Sequence, residues 1–148
     1  MNPLKISIIM ESAFQRIEHI GIAVNDIDSA EILYSKILNS KPYKREELES
    51  QGVLTSFFQV GDNKIELLQA TSLESPISRF ISKKGEGIHH IAYLVSDISW
   101  EMKRLSKSGF SLIDKKPQKG ADNMWVAFLH PKTTGGTLIE LCQPVPLK

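Results

Sequence analysis

The chain has 148 residues, 41% hydrophobic and 24% charged, with a formal net charge of +1. That length and balance suit one soluble globular core, and the near-neutral charge argues against a nucleic-acid surface. A single cysteine, Cys142, excludes an internal disulfide and suits a reducing cytoplasm.

The apolar run "ISIIM" (residues 6–10) is too short for a signal segment and leads into Glu11 rather than a cleavage site. No stretch has transmembrane length, so a cytoplasmic protein without a membrane is the expectation. Residues 1–14 read as an N-terminal extension and 15–148 as a single domain.

The first predicted strand covers about 17–24. A helix follows over about 28–38, with Asp28 as N-cap and Glu31 as its capping-box partner. Ile27, Ala30, Leu33, Tyr34 and Ile37 recur near helical spacing. Strands are predicted near 42–47, 52–60 and 63–69, the last two joined by the turn triplet "GDN". A connecting helix spans about 75–84, where Ser75 can cap and Pro76 fits the first helical position. After the Gly-rich stretch at 85–87, a strand is predicted at 88–95. A helix over 98–107 carries Ile98, Met102 and Leu105 on one face. Strands near 110–114, 123–129 and 137–143 complete the chain.

This order repeats. "RIEHIGIAVNDIDSAEILYSKI" (16–37) resembles "GIHHIAYLVSDISWEMKRLSKS" (87–108), so that an offset of 71 places His19 on His90 and Asp26 on Asp97. "KIELLQ" (64–69) resembles "LIELCQ" (138–143) at an offset of 74, which places Glu66 on Glu140. Two modules, about 16–70 and 87–143, each read βαβββ. The expected fold is α+β, with both modules forming one curved mixed sheet.

Side chains alternate faces along a strand. Ile20, Ile22 and Val24 then share the face under a helix, and His19, Gly21 and Ala23 share the other. Ile91, Tyr93 and Val95 likewise oppose His90, Ala92 and Leu94. Ile65 and Leu67 oppose Glu66, and Ile139 and Leu141 oppose Glu140. A lone histidine or glutamate on a strand is ordinarily structural or solvated. Two imidazoles and two carboxylates at related positions are instead a mixed ligand set for one divalent metal, because adjacent buried carboxylates need a cation. Co, Ni, Zn and Mn all suit such a set. The same alternation puts His89 opposite His90, on the core face, in a structural or supporting role. His130 in "LHPK" reads as structural too.

"HIGIAVNDI", "KIELLQ", "SPISRF", "GIHHIAYLV" and "FLHPKTTGGTLIEL" together resemble the vicinal oxygen chelate superfamily, over about residues 16–143. Within it they look most like the methylmalonyl-CoA epimerase family. The resemblance implies a metal held by His19, Glu66, His90 and Glu140, an acyl-CoA substrate and a homodimer. It further implies epimerisation at C2 through a metal-stabilised enolate, with Glu140 as one base. Some members of that family carry a second carboxylate where this chain has Thr55. Glu46, Glu47 and Glu49 lie nearby in sequence. Lys132 of "HPK", or the start of the connecting helix, is a candidate to meet CoA phosphates; a solvated loop lysine is the competing reading.

A glyoxalase I-like lactoylglutathione lyase is the runner-up. "LLQATSLESPI" after Glu66 departs from the Thr/Asn-containing continuation usual in those enzymes. A noncatalytic small-molecule-binding member of the fold is a third reading, opposed by the intact ligand set. Glu66 speaks against an extradiol dioxygenase, which needs three ligands.

Overall fold

The strand β1 (Phe14–Ala23) lies at the middle of the sheet, exposed over Phe14–Ile17 and largely buried from Glu18 onward. A computed structural model describes residues 12–147. The expected N-terminal extension falls mostly outside those residues. Ser12 is buried and accepts from the Asp97 N–H at 3.0 Å, which ties the start of β1 to the turn before the helix of the second module.

Helix α1 (Ile27–Leu38) is followed by β2 (Lys44–Leu48), β3 (Val53–Val60) and β4 (Asn63–Ala70). Helix α2 (Pro76–Lys84) leads to β5 (Gly87–Val95), then α3 (Ile98–Lys107), β6 (Gln118–Lys119), β7 (Met124–Leu129) and β8 (Ile139–Pro144). The strands form one mixed sheet in the order β2-β3-β4-β1-β5-β8-β7-β6. β1 runs parallel to β4, β5 runs parallel to β8, and β1 and β5 pair antiparallel at the centre. The two halves thus have the same pattern, and the sheet curls into an α+β half-barrel. Among the described residues no helix is long and apolar enough to cross a membrane.

The apolar faces pack the helices on the convex side. Ile27 and Ala30 of α1 meet Val24, Phe58 and Leu67, while Ile98, Met102 and Leu105 of α3 meet Val95, Ala127, Leu129 and Leu141. Each large side chain buried in this way contributes about 1.5–3 kcal/mol. α2 covers part of the concave side, where Ile77 packs on Ala23, Val53 and Leu68.

Three local expectations are corrected. The N-cap of α1 is Asp26, which accepts from the Ser29 N–H at 3.1 Å. Asp28 and Glu31 instead pair with Arg45 of β2. A charge pair with a strand has displaced the expected capping box. The strand expected at 110–114 reduces to one bridge between Leu112 and Leu129, because the Asp114 carboxylate accepts the Phe128 N–H and diverts the chain. The edge strand re-forms four residues later as β6, paired with Trp125 and Val126.

Candidate metal centre

His19 on β1, Glu66 on β4, His90 on β5 and Glu140 on β8 come from adjacent strands, and all four are buried on the concave face. The register brings them level: Gly21 is the pairing partner of both Glu66 and His90. Gly21 matters for its missing side chain, since a Cβ there overlaps the His90 ring.

The ligand atoms converge. His19 Nε2 lies 2.9 Å from Glu66 Oε2, 2.8 Å from Glu140 Oε2 and 3.0 Å from His90 Nε2. His90 Nε2 lies 3.3 Å from Glu140 Oε2. His19, His90 and Glu140 form a tight three-residue group, and Glu66 joins it through His19.

The electrostatics fit a cation. Burial lowers the proton affinity of His19, but the Glu140, Glu18 and Glu66 carboxylates outweigh it and hold its pKa well above the ordinary imidazole value. Burial pushes the Glu140 carboxyl up, and the two imidazoles overcome it, so the group stays well below the usual carboxylate range. Glu140 Oε2 sits at contact distance from both rings, yet among the described residues it has no partner with hydrogen-bond geometry. Lone pairs from nitrogen and oxygen converging on one buried, negatively polarised point are the donor chemistry of a divalent metal site.

The opposite facing expected for His89 is corrected. Between Gly21↔His90 and Ile22↔Ile88 the pairing skips His89, which is the extra residue of a β-bulge. A bulge re-aims side chains. Here it turns the His89 ring onto the same side as His90, with the two Nδ1 atoms 2.9 Å apart and the ring edge-on to Phe80. Burial, followed by the neighbouring His90, pulls the His89 pKa down to about 4. A matching bulge on β1 falls at Glu18, since Ile17↔Tyr93 is followed by His19↔Ala92. Glu18 is 1% exposed, and its Oε1 accepts from His19 Nδ1 at 3.3 Å. Strict alternation misses both. The signal was a charged residue at a position reserved for the apolar face, at the spot in the repeat equivalent to His89.

The cluster forms the floor of a cavity of about 650 Å³, whose lining includes His89, Phe57, Phe128 and residues 48–53. Thr55 is fully buried, donates its hydroxyl to the Glu46 carbonyl at 3.1 Å, and is not among the residues that line the cavity. Glu46 accepts from the Asp122 N–H and pairs with Lys44, and Glu47 is exposed. Of those three glutamates, Glu49 alone reaches the lining. Lys132 is exposed on a 3-10 turn at Pro131–Thr133, outside the lining. His130 caps that turn, accepting from the Lys132 N–H at 3.1 Å.

A curled sheet of two βαβββ halves that gathers imidazoles and carboxylates on its concave face defines a class of half-barrel with a candidate metal site at its centre. The chain belongs to the glyoxalase/bleomycin resistance protein/dioxygenase superfamily, whose family model matches residues 18–128. It is 41% identical over 129 residues to an uncharacterized protein of Bacillus subtilis, YqjC, covering 87% of this chain and 92% of that one. It is 37% identical over 130 residues to the ethylmalonyl-CoA/methylmalonyl-CoA epimerase of Cereibacter sphaeroides, covering 86% of this chain and 97% of that one. A crystal structure of methylmalonyl-CoA epimerase from Mycobacterium tuberculosis matches with a TM-score of 0.86 and 33% identity, covering 90% of each chain.

Proposed function

We propose that the chain is an isomerase that epimerises methylmalonyl-CoA at C2, using one divalent metal held by His19, Glu66, His90 and Glu140. The observation that carries this reading is the convergence of those four side chains on one buried point, in a chain similar to acyl-CoA epimerases. Two residues come from each module, so residues 15–148 act as one unit.

The C2 proton of such a substrate lies between a thioester and a carboxylate, and removing it places negative charge on the thioester oxygen. A bound cation supplies Lewis-acid stabilisation of that charge. The residues of the chain do the rest. Glu140 stays ionised and lines the cavity, where its carboxylate can take the C2 proton. Apolar walls such as Phe57 and Phe128 exclude water from the reacting centre. Inversion needs a proton returned to the opposite face of C2; the Thr55 hydroxyl donates to the backbone, so Glu49, which lines the cavity, or water supplies it.

Mass spectrometry of methylmalonyl-CoA incubated with metal-loaded enzyme in deuterium oxide tests this reading, and deuterium at C2 is the expected result. Protein that leaves C2 unlabelled, yet turns over the glutathione hemithioacetal of methylglyoxal, would establish the lyase instead.

We also infer a homodimer. Large apolar side chains remain exposed along the central β1 and β5 pair, with Phe14 at 40%, Ile17 at 42% and Ile88 at 62% exposure, and a second copy is the simplest cover for such a seam. Sedimentation at micromolar concentration is expected to show twice the chain mass; a monomer there overturns it.

A further inference from the structure

Asp122 stands where the two ends of the sheet meet. β2 is one edge strand and β6 the other, and the turn between β6 and β7 carries Asp122 across to β2. Its carboxylate accepts from the Tyr43 hydroxyl at 2.8 Å, from Lys64 Nζ at 2.7 Å and from Lys44 Nζ at 3.4 Å. Its N–H donates to Glu46 Oε1 at 3.0 Å. Asp122 and Asn123 both adopt a φ of 57°, a left-handed conformation that non-glycine residues take at an energetic cost. Four polar contacts on one side chain and its own N–H hold that conformation in place.

The contacts continue inward. Lys64, only 13% exposed in its side chain, bridges from Asp122 to Glu18, with Nζ donating to Oε1 at 3.1 Å. Glu18 in turn meets His19 Nδ1. The path from the sheet edges to the site is therefore Asp122, Lys64, Glu18, His19, with each step a direct charged or hydrogen-bonded contact. Among the described residues the equivalent bulge on β5 has no such path: His89 meets His90 but leans on Phe80, an apolar ring.

We propose that Asp122 is a positioning residue for the candidate metal centre. It latches the two edges of the half-barrel and, through Lys64 and Glu18, fixes the His19 ring with the proton on Nδ1 and with Nε2 turned toward Glu66, His90 and Glu140. Partners behind a ligating imidazole set its orientation and basicity. This rests on the reading that those four side chains hold a cation.

Cobalt(II) titration, following the visible absorption band and the apparent Kd, separates this role from that of a mere clasp when Tm is measured on the same samples. Asp122→Asn keeps a residue that tolerates the left-handed backbone and removes the charge that holds Lys64. It is expected to weaken cobalt binding at least about tenfold and to alter the band. Lys64→Met, which cuts the path while leaving the Tyr43 and Lys44 contacts, is expected to do the same and carries the test if Asp122→Asn does not fold. Tyr43→Phe removes a closure contact but leaves the path, so it is expected to bind cobalt as the wild type does, whatever its Tm. Wild-type affinity and an unchanged band in Asp122→Asn or Lys64→Met, with only Tm lowered, overturn the proposal. Wild-type protein that takes up no cobalt overturns the metal reading itself, a failure visible before any variant is made.

Discussion

His90→Ala protein purified without chelator is expected to carry almost no divalent metal, whereas His89→Ala retains near-stoichiometric metal. His90 Nε2 lies within 3.3 Å of both His19 Nε2 and Glu140 Oε2, so its loss takes one side from the cluster. His89 reaches the cluster only through the His90 Nδ1 atom, and losing it weakens metal affinity by about tenfold, as for other groups behind a ligand. Gly21→Ala is expected to imitate His90→Ala. The new methyl overlaps the His90 ring, which cannot yield because it packs edge-on between His89 and Phe128. Elemental analysis with circular dichroism on the same samples checks this: metal is lost while the helices remain. Metal retained by His90→Ala but lost from His89→Ala would reverse the assignment of the two rings.

Much of the fold was legible because the chain states it twice. The offset of 71 aligned Asp26 with Asp97, and both prove to be N-caps, Asp97 accepting from the Trp100 N–H at 3.0 Å. Reading α1 alone favoured Asp28, since its spacing to Glu31 matches a capping box; Arg45, distant in sequence, claimed both carboxylates. The gathering of His19, Glu66, His90 and Glu140 on one face followed from period-two alternation combined with the repeat.

Alternation fails at a bulge, where one extra residue keeps the side of its neighbour, and two of the three register shifts between β1 and β5 fall beside a candidate ligand. Period-two alternation therefore puts His89 on the wrong face and gives no role to Glu18. Asp122 was beyond reach for a different reason. Its partners Tyr43, Lys44, Glu46 and Lys64 lie in the other half of the chain, and only the curl of the sheet brings its two edges together. Local pattern has no access to that closure.

Glu140→Gln is expected to slow deuterium exchange at C2 by a factor on the order of 10²–10⁴ when compared at equal metal occupancy, the usual worth of a positioned proton-transfer group. The comparison must be made per bound metal, because Glu140 has two roles in this reading. Its Oε2 stands against both imidazoles, so the amide also weakens the ligand set. Glu66→Gln supplies the control. Glu66 meets the cluster through His19 Nε2 alone, at 2.9 Å, and its loss is expected to weaken metal binding while leaving exchange per bound metal within about tenfold of wild type. The two variants differ because the flanking imidazoles outweigh burial at Glu140 and keep its carboxyl ionised. Glutamine preserves its shape and removes the charge that accepts the C2 proton. Equal exchange per bound metal in the two variants would remove Glu140 from proton transfer and leave it only a ligand. A loss confined to Glu140→Gln would assign the C2 proton to its carboxylate.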